Sequence, residues 1–243
     1  MIRFGCMLLV IGLYFIFFWP MSIFLQLYKK INRKKADNIS RHLVQWIFGV
    51  LLKVSDTKIT VKGLENLSPT DTVMYVGNHS SYFDIIISYC YMPTTTGFVS
   101  KKEIGDIPFL KTWMELIGCL FIDRSDIKSS LQTIKEGIEK LKSGTSIFIF
   151  PEGTRSKTGH MGEFKEGSMK MAQKAKVPVI PVAFSGTAAL WENQFPRVKR
   201  GHVIIEFGKP IHIQTLDKED QKHLGTYTKN ILQEMLDKNA SAL

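Results

Sequence analysis

The longest unbroken apolar pattern in the chain lies at its start. Phe4 to Tyr28 carries no charged side chain, and Phe15, Phe17, Phe18 and Trp19 crowd its middle. As a helix rising ~1.5 Å per residue it reaches ~36 Å, enough to cross a ~30 Å hydrocarbon layer. Pro20 interrupts the pattern, because a proline inside a helix removes a backbone bond and predicts a kink or an end. Ile39, Leu43, Trp46, Ile47, Val50, Leu51 and Val54 then recur at steps of three and four, with Arg41, His42, Gln45 and Lys53 on the polar side. That period predicts a second, amphipathic helix over residues 37–54, either packed on a globular core or lying at a lipid interface.

From residue 57 the period changes. Short β-branched and aromatic runs predict strands at Lys58–Lys62, Thr72–Gly77, Gly97–Ser100, Gly118–Asp123, Ser146–Phe150, Val179–Ser185 and Val203–Gly208. Helical patterns fall between and after them, at Phe83–Tyr91, Phe109–Leu116, Asp126–Lys142, Glu166–Lys174 and Lys218–Asp237. The Asp126–Lys142 helix is the best defined, with a stripe of Leu131, Ile134, Ile138 and Leu141 and Gly144 beyond its end. Strands alternating with helices predict an α/β fold with a largely parallel central sheet flanked by helices. Residues 1–54 read as a membrane-associated two-helix motif, and 55–243 as the α/β domain.

Charge sharpens the membrane reading. The chain of 243 residues has a net charge of +10, but residues 1–41 hold seven basic side chains and one acidic, leaving only +4 elsewhere. Lys29, Lys30, Arg33, Lys34 and Lys35 follow the apolar segment directly. That cluster suits anionic headgroups, whereas a nucleic-acid-binding surface spreads its cations over the domain. The positive-inside tendency puts the following domain on the cytoplasmic side, whether the segment spans the bilayer or enters one leaflet. No small-x-small cleavage site follows the apolar segment, so a retained anchor is expected. Hydrophobic residues at 44% and charged residues at 22% exclude a disordered chain and a polytopic bundle. Cys6, Cys90 and Cys119 are odd in number and widely separated, against a disulfide scaffold or a structural zinc site.

Candidate chemistry gathers after predicted strands. Asn78-His79 follows the second, Lys101-Lys102 the third, Arg124 the fourth and Pro151-Glu152-Gly153-Thr154-Arg155 the fifth. In parallel α/β sheets these loops open on one edge, where sites form. His79 and Asp84 are five residues apart, ~140° around a continuous helix. A turn leading into a helix would instead fold the carboxylate back to orient the imidazole as a general base. No metal-ligand spacing surrounds His79, and no Gly-x-Ser-x-Gly elbow supplies a protein nucleophile. A base without a nucleophile points to a substrate hydroxyl as the attacking group. Gly153 permits close backbone approach, Arg155 offers a fork for phosphate, and Lys101, Lys102 and Arg124 add charge. No Walker A or Gly-x-Gly-x-x-Gly sequence calls for a nucleotide cofactor.

Four segments in order carry a family resemblance: Asn78–Asp84 with its His-x4-Asp, Gly118–Arg124, Phe150–Arg155 and Val177–Pro181. Together they resemble the 1-acylglycerol-3-phosphate acyltransferases, also called lysophosphatidic acid acyltransferases. The resemblance implies acyl transfer from acyl-CoA or acyl-carrier protein to the sn-2 hydroxyl of lysophosphatidic acid, giving phosphatidic acid, with no cofactor or metal. By position it makes His79 the general base and Asp84 its orienting carboxylate. It assigns Arg124, Glu152, Gly153, Thr154 and Arg155 to acceptor binding, with Lys101 as a further phosphate contact. Acyl transfer to another lysophospholipid or to glycerol-3-phosphate, a membrane thioesterase and a non-catalytic lipid-binding protein are the competing readings.

Overall fold

The computed structural model describes residues Met1–Leu243. Two helices come first, α1 (Ile2–Lys29) and α2 (Arg33–Ser55), then β1 (Thr57–Lys62), β2 (Met74–Gly77), α3 (Tyr82–Cys90), β3 (Thr96–Lys101), α4 (Pro108–Leu116) and β4 (Leu120–Ile122). The chain continues through α5 (Ile127–Lys142), β5 (Ser146–Ile149), α6 (Glu166–Ala175), β6 (Val179–Ser185), β7 (Gly201–Phe207), α7 (Lys218–Lys222) and α8 (Leu224–Ala240). The strands form one seven-stranded sheet in the order β1-β7-β6-β2-β5-β3-β4. Every pairing is parallel except that of β6 with β7. The largely parallel α/β sheet expected from the alternation of elements is present.

Side-chain alternation assigns the two faces. Tyr75 on β2 and Phe148 on β5 join the core shared with α1 to α4. Their neighbours Met74, Val76, Ile147 and Ile149 join the core beneath α5, α6 and α8. Both faces are covered, as central parallel strands without polar alternation require.

The first two helices form an antiparallel hairpin. Arg3 at the start of α1 pairs with Asp56 just after α2, while Lys29 at the end of α1 pairs with Asp37 near the start of α2. Asn32 caps α2 by accepting the Lys35 amide at 3.0 Å. Val44, Ile47, Leu51 and Leu52 of α2 lie in the same core as the sheet, which is the packed alternative for this amphipathic helix. Gln45, on its polar side, reaches inward and donates to the carbonyls of Tyr89 and Met92 at the end of α3. The 54/55 division falls at the end of α2, but hairpin and sheet share one apolar core.

Two elements differ from their sequence patterns. Pro20 does not end α1, which runs unbroken from Ile2 to Lys29. Packing carries the helix through, with Trp19 against Phe109 of α4 and the Ser22 hydroxyl bonded to the Trp19 carbonyl. The single C-terminal helix predicted at Lys218–Asp237 is two, broken at His223. Glu166 explains the break: its carboxylate accepts the Gly225 and Thr226 amides, capping α8 from outside. A Cβ on Gly225 would stand 2.9 Å from that carboxylate, so a larger residue there would push the Glu166 side chain aside.

Candidate active site

The turn between β2 and α3 is fixed at both ends. Asn78 is buried and brackets the Phe184 backbone, its Nδ2 donating to the carbonyl and its Oδ1 accepting the amide. Ser81 caps α3, and Asp84 completes the capping box three residues on. Asp84 is fully buried, and its Oδ2 accepts the Ser80 and Ser81 amides, each at 2.8 Å. The same oxygen lies 2.9 Å from His79 Nδ1. Oδ1 accepts the Thr187 hydroxyl at 2.5 Å. The carboxylate thus folds back across a turn, which resolves the five-residue spacing.

The tautomer of His79 follows from these bonds. A carboxylate can only accept, so Nδ1 carries a proton, and in the neutral ring Nε2 presents the lone pair. Nε2 has no partner within the protein, yet it is not sealed from solvent. The ring stacks on Phe150 at 4.0 Å and an interplanar angle of 14°. Its orientation is therefore set from below by an aromatic face and from the side by a buried acid.

Glu152 spends both carboxylate oxygens on backbone amides. Its Oε1 accepts the His79 amide at 2.7 Å and its Oε2 accepts the Gly162 amide at 2.8 Å. The carboxylate straps the loop after β5 to the turn carrying the base. Burial pushes its pKa above the usual glutamate value, and the two amide bonds oppose that shift. Asp123, at the end of β4, goes the other way to about 2, because the Ser125 hydroxyl and amide and the Lys102 ammonium stabilise its charge.

All the cation candidates sit on the same sheet edge, with different partners. Arg155 Nη1 donates to Glu192 Oε1 at 3.0 Å, and its guanidinium lies 3.9 Å over the Tyr82 ring. Glu192 Oε1 also accepts the Tyr82 amide. Lys102 pairs with Asp123, whereas Lys101 at the end of β3 is exposed and makes no ion pair. Thr154 is exposed. Gly153 has φ +79°, and a Cβ there would stand 3.3 Å from both Arg124 Nη1 and Lys165 Nζ. Thr187, Glu192 and Lys165 were not legible from sequence, since each meets the site only through folding.

The site is therefore an acid-oriented histidine at the carboxyl edge of a mostly parallel α/β sheet, with cations on the same rim and an apolar helix packed on the domain. Comparison with known proteins makes this specific. The chain belongs to the acyltransferase family, whose profile matches residues 58–185. It is 32% identical over 205 residues to a 1-acyl-sn-glycerol-3-phosphate acyltransferase of Saccharomyces cerevisiae, covering 81% of this chain and 66% of that protein. It is 38% identical over 157 residues to the chloroplastic 1-acyl-sn-glycerol-3-phosphate acyltransferase LPAT1 of Arabidopsis thaliana, covering 64% of this chain and 44% of that one. The chain thus spans less than two thirds of the length of these relatives. In fold it is similar to the crystal structure of the 1-acyl-sn-glycerophosphate acyltransferase PlsC from Thermotoga maritima. That match has a TM-score of 0.81 at 23% identity, over 98% of this chain and 95% of the other.

Proposed function

We propose that the chain transfers a fatty acyl group from an acyl thioester to the sn-2 hydroxyl of 1-acyl-sn-glycerol-3-phosphate, forming phosphatidic acid. The donor is acyl-CoA or acyl-carrier protein. The observation that carries this reading is the 2.9 Å contact between His79 Nδ1 and the buried Asp84, with Nε2 left free to accept a proton. The names of the relatives from yeast and Arabidopsis support the choice of acceptor.

In this reaction His79 Nε2 removes the proton of the acceptor hydroxyl as its oxygen attacks the thioester carbonyl. Asp84 stabilises the imidazolium. The tetrahedral intermediate collapses, the carbon–sulfur bond breaks, and the imidazolium returns the proton to the leaving thiolate. Base catalysis of this kind is worth ~10²–10⁴-fold. The cations of the rim hold the phosphate, converting an encounter at the membrane into a positioned attack.

The acceptor's tail stays in lipid. α1 is long and apolar enough to cross a membrane. It nevertheless packs along α2 and α4, leaving Leu9, Ile16, Phe17, Phe24 and Leu27 exposed on its outer side. Insertion into one leaflet fits a helix tied to the domain at both ends better than a free span does. The basic residues after α1 support a cytoplasmic position for the domain.

A product assay crossing acceptors with donors tests this reading. Purified protein is expected to convert lysophosphatidic acid to phosphatidic acid faster than it acylates glycerol-3-phosphate or lysophosphatidylcholine. Release of free fatty acid despite abundant acceptor would instead identify a thioesterase.

A further inference from the structure

We propose that Lys165 is a direct ligand of the acceptor's phosphate monoester, gripping it together with Arg124 across Gly153; this rests on the acyl-transfer reading above. The two cationic nitrogens each lie 3.3 Å from the point where a Gly153 Cβ would stand, so they are no farther apart than twice that distance. A phosphate, with several oxygens, can take charge-assisted bonds of ~2.8 Å from two nitrogens that close together. Glycine leaves that space open and, at φ +79°, turns the backbone so that a ligand can approach it.

The charges around this point are out of balance in the direction an anion would correct. Neither Arg124 nor Lys165 forms an ion pair, whereas Lys102 is matched by Asp123 and Arg155 by Glu192. The acids flanking Lys165 are committed elsewhere: Glu163 pairs with Lys229, and Glu166 caps α8. Glu152, beside Gly153, spends one oxygen on the His79 amide and the other on the Gly162 amide. Glu103 is near enough to act on Arg124 electrostatically but makes no ion pair with it. Two like charges converging without a counter-ion repel each other, and a bound phosphate removes that repulsion.

The placement also serves the reaction. The Lys165 amide donates to the Pro151 carbonyl at 3.2 Å, fastening the start of α6 to the loop that Glu152 ties to His79. A phosphate held here is held relative to the base. Arg155, engaged by Glu192 and Tyr82, is left to build the rim beside it.

Steady-state kinetics of the full chain in mixed micelles tests the assignment. Lys165→Ala is expected to raise KM for lysophosphatidic acid by about tenfold or more, with the donor KM within about twofold of wild type. Its preference for lysophosphatidic acid over monoacylglycerol is expected to fall by a similar factor, and Lys165→Arg to restore most of both. An unchanged acceptor KM in folded Lys165→Ala overturns the proposal. So does a rise confined to the donor KM, which would assign the cations to the donor's own phosphates. A second measurement needs no variant: inorganic phosphate is expected to shield Lys165, but not exposed Lys170, from acetic anhydride in the wild-type protein. Absence of that protection also overturns the site. If wild type shows the protection yet never acylates lysophosphatidic acid, the anion site stands and the acyl-transfer reading fails.

Discussion

Asp84 accepts from two backbone amides, one hydroxyl and one imidazole, so its charge is spread over four donors in a fully buried position. Such a carboxylate holds its ring without relying on solvent. Glu152 is its counterpart in the neighbouring loop, with two amides and a partly desolvated charge. Because burial raises its folded pKa above 4.5, the native state binds more protons than the unfolded chain in that window. Its contribution to stability is therefore fully present below about 4.5 and is lost as pH rises through the raised value. Urea unfolding of wild type and Glu152→Gln from pH 4 to 7 is expected to show the difference moving in favour of Gln as pH rises. A difference flat across that range would show that burial does not govern this carboxyl. The His-x4-Asp pair was legible in the sequence because its chemistry is local: a histidine, a turn and a helix start. Thr187, which holds the other oxygen of Asp84, lies 103 residues further on, and no spacing rule reaches it.

At the scale of elements, hydrophobic period was a good guide wherever a helix or strand had one face to bury. All seven strands lie where β-branched and aromatic runs put them, and α5 packs Ile134, Ile138 and Leu141 of its stripe while Leu131 is left 52% exposed. The pattern failed at His223, where a tertiary contact decides, and at Pro20 it left a kink or an end, of which α1 does not show the end. Trp19 and Ser22 keep α1 whole, and Glu166 divides α7 from α8. For α2 the period left two surfaces open, and the structure chooses protein over lipid for Val44, Ile47 and Leu51. α1 carries both surfaces at once. Leu25 is wholly buried, so Leu25→Ala is expected to cost about 2–5 kcal/mol of stability. Phe17, 71% exposed, faces outward, so Phe17→Asp is expected to leave unfolding nearly unchanged while weakening flotation with anionic vesicles. Vesicle binding unaffected by Phe17→Asp would remove the lipid role of that face.

Over the whole molecule, α1 is the element proposed to join the membrane to the site. Its first turn sets Phe4 against Trp191 and Phe195, in the segment whose Glu192 holds Arg155. Its last turn places Lys29 on the Leu116 carbonyl and against Asp37. The apolar outer face thus begins beside the catalytic edge, where a lipid acceptor could present its headgroup to His79 while its tail stays in the leaflet. The sheet supplies the other half of this geometry by bringing the ends of β2, β3, β4 and β5 to one side. The proposed reaction depends on His79 acting as a base toward a lipid hydroxyl. The most direct measurement is the rate of phosphatidic acid formation by His79→Ala, with its fold checked by circular dichroism and thermal unfolding. The account predicts that a folded variant retains less than about 1% of the wild-type rate at saturating acceptor and donor; a folded variant turning over near the wild-type rate would contradict it.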